Sequence, residues 1–338
     1  MKNNKYKDIL SKLFGIVIIF LIIGNFIPTN YMVTTPGVAK ELSTLITVKD
    51  GYKDNIQGDF MLTAVGSKRA TVLDFVKISI LDPEGYELTP RKQQIPKGMK
   101  MDQYIDIMAS LMEESKAKSQ AVALEKVGYK IDLKATGKGA EIIQVIEGTP
   151  AAGKLKDGDV ITAVDGKEIK LASDAINTIR SKKIGEMINL TIKNNGKEKT
   201  VSLKTAELEN SPDKPSIGVL IITDGLTYDF PRKIEFKTDN VVGPSAGSVF
   251  ALEIYNQLTP EDITKGKKIA GTGTISLDGK IGMIDGVLQK IITADDAGAD
   301  IFLVPAKNYK KAKTTTRDIK LVKVENIDEV INFLKNEL

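Results

Sequence analysis

Neither histidine nor cysteine occurs anywhere in the 338 residues. This double absence removes disulfide frameworks, thiolate or imidazole metal modules and the small folds that depend on such staples. The chain must be held together by ordinary hydrophobic cores, and its length suffices for two domains of usual size plus a further segment. The same absence narrows the chemistry. Thiol nucleophiles, Ser-His-Asp triads, histidine bases and histidine-held zinc are excluded. Hydrolysis would have to use carboxylates, or a hydroxyl activated by a lysine or by the N-terminal amine. No metal and no cofactor is expected. The net charge of +4 is small, and the lysines are spread rather than clustered, which argues against nucleic acid as a partner.

Leu13 to Ile27 is apolar except for Asn25 and follows Lys2, Lys5, Lys7 and Lys12. Fifteen helical residues span about 22 Å, and counting from Ile9 gives about 28 Å, close to the hydrocarbon thickness once Lys12 snorkels. No small-x-small cleavage site follows, since Phe26-Ile27-Pro28-Thr29-Asn30 comes next. The expectation is an uncleaved single-pass anchor over residues 1–33 in the cell membrane. The basic flank keeps the N-terminus cytoplasmic and places the remainder outside.

Residues 34–125 read as a mixed α/β part. Phe60–Val65 and Val72–Leu81 are expected as strands, with a turn at Asp82–Gly85. Asp102 to about Lys126 is expected as a helix, with Ile105, Met108, Ala109 and Met112 facing the core. Residues 126–207 change character. A strand at Ala140–Ile146 leads to Gly148-Thr149-Pro150-Ala151, then Leu155-Lys156-Asp157-Gly158-Asp159-Val160-Ile161 and Val164-Asp165-Gly166. This run resembles the PDZ family, whose strand, G-x-P-A, L-x-x-G-D-x-I and V-x-G elements occur in that order. The resemblance implies a β-rich domain that binds extended peptide along a sheet edge.

In residues 208–338, Val242-Gly243-Pro244-Ser245-Ala246-Gly247 precedes a segment with helical spacing of Val249, Leu252 and Tyr255. A hydroxyl there meets free N–H groups and the positive end of the helix dipole, which suits a nucleophile; Gly-Pro-Ser is equally a good turn and cap. Lys290 lies at the edge of the stripe formed by Val287, Leu288, Ile291 and Ala294. Partial desolvation there lowers a lysine pKa toward that of a usable base, although a snorkelling border lysine has the same spacing.

From Phe230 onward the sequence resembles the proteolytic domain of Lon-family proteases. The matching elements are Gly243-Pro244-Ser245-Ala246-Gly247, then Thr272-Gly273-Thr274-Ile275-Ser276-Leu277-Asp278-Gly279, then Ile284-Asp285-Gly286-Val287-Leu288-Gln289-Lys290. The resemblance implies Ser245 as nucleophile, Lys290 as general base and a Thr272 hydroxyl that orients the amine. Backbone around Gly243, Ser245 and Ala246 would support the site. Val242 departs from the acidic residue usual before this Gly-Pro-Ser.

The combined layout resembles membrane-anchored PDZ–Lon peptidases. It implies an α+β chain in which the PDZ domain lies between two parts of a Lon-like α/β domain, residues 34–125 supplying the first part. Assembly into homo-oligomeric rings is implied by resemblance alone. Every Gly-Lys pair in the chain lacks a following Ser or Thr, so no P-loop and no ATP motor is present in it. The expected activity is an ATP-independent serine endopeptidase acting on extracytoplasmic peptides or unfolded protein segments. The alternative is a membrane-anchored PDZ adaptor or inactive protease that binds peptides without cutting them.

Overall fold

The computed structural model describes Lys12 and residues 14–15, 22–95, 101–131, 138–208, 211–225, 230–238 and 241–338. Leu13 and residues 16–21 of the apolar run read as an anchor lie outside the described residues. Among those described, no helix is long and apolar enough to cross a membrane.

Strand β1 (Pro28–Glu41) begins at the proline that ends the apolar run. It is followed by β2 (Ile46–Val48), β3 (Asp59–Thr71), helix α1 (Val72–Leu81), β4 (Glu87–Pro90) and helix α2 (Met101–Lys126). The segment Val72–Leu81, expected as a strand, is therefore a helix. Its near-continuous apolar run carries too little periodicity to decide. The decision lies at its start. Thr71 Oγ1 accepts from the Asp74 N–H at 3.1 Å, while Asp74 Oδ2 accepts from the Thr71 N–H at 3.0 Å, a reciprocal cap. Asp82 ends the helix in the left-handed region at φ 41°. Thr71→Ala should lower stability by about 1 kcal/mol. A urea midpoint that moves down at constant slope would register this, and an unmoved midpoint would remove the cap's role.

Helix α2 matches its expected extent, but its buried face differs from the expected one. Met112 is buried, whereas Ile105 is exposed; Ser115, Ser119 and Ala121–Leu124 take the inner positions. Serines at buried sites need acceptors, and both find them in the loop described below.

The second unit comprises β5 (Gly139–Val145), β6 (Val160–Val164), α3 (Ala172–Arg180), β7 (Met187–Asn194), β8 (Lys197–Lys204) and β9 (Val219–Asp224). Its sheet runs β9-β5-β6-β7-β8, around Ile142, Ile161, Val164, Ile179, Ile188 and Leu190. The sheet also takes a strand from beyond residue 207, the expected end of the domain. Strand β9 pairs antiparallel with β5, from Val219 opposite Val145 to Asp224 opposite Gly139. The proline-bearing stretch at 211–215 hides this return, because β5 needs a partner that sequence order places some eighty residues away.

The last segment holds β10 (Ile234–Phe236), α4 (Gly247–Leu258), β11 (Lys268–Gly271), β12 (Thr274–Ile275), β13 (Ile281–Gly282) and α5 (Val287–Asp296). Then come β14 (Ile301–Pro305), α6 (Ala306–Ala312), β15 (Lys320–Val324) and α7 (Ile327–Asn336). A six-stranded sheet runs β15-β14-β11-β3-β1-β4, parallel from β15 to β3 and antiparallel from β3 to β4. Half its strands thus come from before the second unit and half from after it. Alternation along β3 sorts its two faces. Phe60 and Leu62 join the core under α2, α4 and α7, while Met61 joins Val287, Ile291 and Ala294 of α5. The sheet therefore separates α4 from α5, and the end of β3 is where residues from both can meet.

Candidate active site

Ser245 sits in a single tight turn, Pro244–Ala246, that leads into α4. Gly243 holds φ 98°, ψ 154°, a conformation only glycine adopts without strain, and Pro244 sets the next φ without wasting an N–H. The Gly243 N–H donates to Met108 O of α2 at 2.9 Å, so it is occupied in the fold.

The turn is fastened from three sides. Ser115 Oγ donates to Pro244 O at 3.1 Å, and Ser119 Oγ donates to Gly247 O at 2.8 Å. Ser245 O accepts from the Gly273 N–H at 2.7 Å and from Thr272 Oγ1 at 2.9 Å. Gly247 must lack a side chain, since a Cβ there would lie 2.6 Å from Ser115 Oγ and 2.7 Å from Ile275 Cγ2.

Lys290 reaches the turn from α5, whose N-terminus is set by Gly286 in the left-handed region at φ 72°. The lysine is only 3% exposed. Its Nζ lies 2.8 Å from Ser245 Oγ, 2.9 Å from Thr63 O and 3.2 Å from Thr272 Oγ1. Burial, with no carboxylate to offset it, pushes the amine down from 10.5 to about 8.

These partners fix how the neutral amine must point. Thr63 O can only accept, and the Thr272 hydroxyl proton is committed to Ser245 O, so Thr272 Oγ1 also accepts from the amine. Both N–H bonds of a neutral lysine are then used. The lone pair is left facing the Ser245 hydroxyl.

The structure thus brings together Ser245, Lys290 and Thr272, with Gly243 and Ala246 bracketing the serine. Sequence reasoning missed Thr63, which acts through its carbonyl and has no side-chain signature. It also missed the roles of Ser115 and Ser119, whose only signal was serine at inward positions of an otherwise apolar helical face. Among the described residues no cluster could hold a metal.

The family model of the Lon protease (S16) C-terminal proteolytic domain matches residues 240–336, and that of the PDZ domain matches residues 122–205. The chain carries a PDZ domain and a Lon-type proteolytic domain. Similar relatives include the Lon protease of Trichlorobacter lovleyi, 38% identical over 95 residues, covering 27% of this chain and 11% of that protein. The Lon protease of Campylobacter concisus is 39% identical over 101 residues, covering 28% and 12% respectively. The chain therefore spans only 11–12% of the length of these curated relatives. Among solved structures, the PDZ domain of an SdrC-like protein from Listeria monocytogenes is 30% identical. It covers 26% of this chain and 93% of that one, with a TM-score of 0.25. The Ser245 turn and Lys290 both lie in the Lon-type domain, whereas Thr63, Ser115 and Ser119 precede the PDZ domain in sequence.

Proposed function

We propose that this chain is an ATP-independent serine endopeptidase with Ser245 as nucleophile and Lys290 as general base. The observation that carries the reading is the 2.8 Å approach of a buried, pKa-lowered amine to the serine hydroxyl, with its other two positions taken by acceptors. Neutral Lys290 takes the Ser245 proton as Oγ adds to the scissile carbonyl carbon. The ammonium then protonates the leaving amine as the C–N bond breaks, giving an acyl-enzyme. Water repeats the sequence and frees the serine. The Ala246 N–H, at the start of α4, contributes to stabilising the oxyanion.

The Thr272 hydroxyl is a positioning group. It holds the Ser245 carbonyl and accepts from the amine, so it keeps the lone pair aimed. The PDZ domain recruits extended peptide. The absence of a P-loop from the chain restricts substrates to peptides and flexible segments. The apolar run Leu13–Ile27 with its basic flank supports a single-pass membrane anchor and an extracytoplasmic catalytic part.

The test compares wild type with Ser245→Ala on an unstructured fluorogenic peptide. Cleavage should fall by about 10³-fold or more in the variant, whose melting temperature should stay close to wild type. Equal cleavage by both proteins would remove Ser245 from the chemistry. Peptide binding without cleavage by either would leave an adaptor.

A further inference from the structure

The outward face of α1 carries exposed apolar side chains on both sides of Lys77, where a water-facing helix would be mostly polar. Ile80 is 74% exposed and Leu81 66% exposed, and Leu73 and Val76 share the side of Ile80 at helical spacing. The inward side is already satisfied. Ile78 is buried with Val33 and Ala70, and the Phe75 ring lies 5.0 Å from that of Tyr31. Nothing within the described fold requires the outer stripe to be hydrophobic.

That stripe begins where the apolar N-terminal run arrives. The Val72 N–H donates to Ile27 O at 2.9 Å, and a Cβ on Gly24 would lie 3.7 Å from Leu73 N and 3.8 Å from its Cβ. Ile22, Ile23, Phe26 and Ile27 are exposed beside it. The next residue, Pro28, already belongs to the main sheet, so no linker separates the run from the helix. Exposed Lys77 on α1 adds positive charge to the stripe, while Lys68 on β3 is paired with Asp74 of α1 at 3.1 Å.

We propose that α1 is a second membrane contact, lying in the headgroup–acyl boundary of an anionic bilayer beside the point where the N-terminal segment emerges. The proposal rests on the anchor reading above. A lone span leaves a domain free to swivel; a second contact one helix away fixes which face of the Lon-type domain meets the lipid. Apolar residues bury into the interface, and the Lys77 ammonium reaches anionic headgroups. The site is thereby held at a set height above the membrane.

The chain has no cysteine, so single labels are unambiguous. Full-length Phe20→Cys, Ile80→Cys and Lys199→Cys would carry an environment-sensitive NBD dye. They would be reconstituted in phosphatidylethanolamine–phosphatidylglycerol vesicles with and without lipids doxyl-labelled near the headgroup. The expected result is blue-shifted, lipid-quenched emission at positions 20 and 80 and water-like emission at 199. Quenching at 20 with water-like emission at 80 overturns the proposal and leaves the anchor standing. Failure to float with vesicles, with no quenching at 20, removes the anchor reading and this one with it. Blue-shifted emission at 80 that doxyl lipids do not touch identifies a second copy on that face and also overturns it. Quenching at 199 as well as 80 indicates unspecific adsorption and has the same consequence.

Discussion

Lys290→Met abolishes peptide cleavage, lowering kcat/KM by about 10³-fold or more, without lowering the melting temperature at pH 7. The two halves of this result have one cause. Holding the amine near 8 rather than 10.5 means that the fold disfavours its protonated form, at a cost of about 3 kcal/mol by the usual conversion. The sign is fixed by linkage. A depressed lysine contributes stability above its unfolded pKa, loses it as pH falls, and imposes the full cost below about pH 8. Methionine fills the space without the charge and relieves that cost. It also leaves Thr63 O, Ser245 Oγ and Thr272 Oγ1 without the amine, which offsets part of the gain. A scanning calorimetry trace at or above the wild-type midpoint fits this balance. A drop of several degrees would mean that the lysine is there to hold the fold.

Activity should rise with pH through one ionisation near 8, so that kcat/KM at pH 6 is about one hundredth of the plateau. No histidine exists to shape the profile below this point. One other buried group titrates nearby and must be separated from it. Glu253 on α4 is fully buried, its Oε1 accepts from Gln257 Nε2 at 2.6 Å and its Oε2 has no partner. Burial raises its carboxyl to about 7. Its linkage runs opposite to the lysine's in consequence: stability is present below about pH 4.5 and lost as pH rises to about 7. Glu253→Gln should therefore raise the melting temperature above pH 7 and leave the rate profile alone. A pH–rate curve that moves with Glu253→Gln would assign the ionisation to the wrong residue.

Much of the site can be read from the sequence because it is local. Gly243-Pro244-Ser245-Ala246-Gly247 encodes its own turn: a glycine with positive φ, a proline at the first turn position, and a glycine where a Cβ would strike Ser115. Lys290 stands out because a cation at the border of an apolar helical stripe has little water around it. What closes the site is not local. Thr63 offers a backbone carbonyl from a strand more than two hundred residues earlier, a contribution that no residue type announces. Ser115 and Ser119 look like polar interruptions of a helix until the Pro244 and Gly247 carbonyls they hold are in view.

The fold divides along the same line. PDZ elements in fixed order are recognisable, but the strand that completes their sheet returns only at Val219–Asp224, beyond a short hairpin that carries two prolines. Val72–Leu81 is misread because β-branched residues weigh toward strand while the helix is decided by Thr71 and Asp74 alone. The T-x-x-D pattern was available and outranks composition at a helix start. The exposure of Ile80 and Leu81 follows from that same helix and is invisible while the segment is taken for a strand.

Catalysis by Lys290 turns on the charge state of a single nitrogen, and that can be observed directly. Lysine carrying ¹³C at Cε, with the Lys290 signal assigned by its disappearance in Lys290→Met, reports protonation through its chemical shift. A titration midpoint near 8 is the expected result. A midpoint at or above 10.5 would mean an amine that stays protonated at working pH, and the proposed base would have no lone pair to offer Ser245.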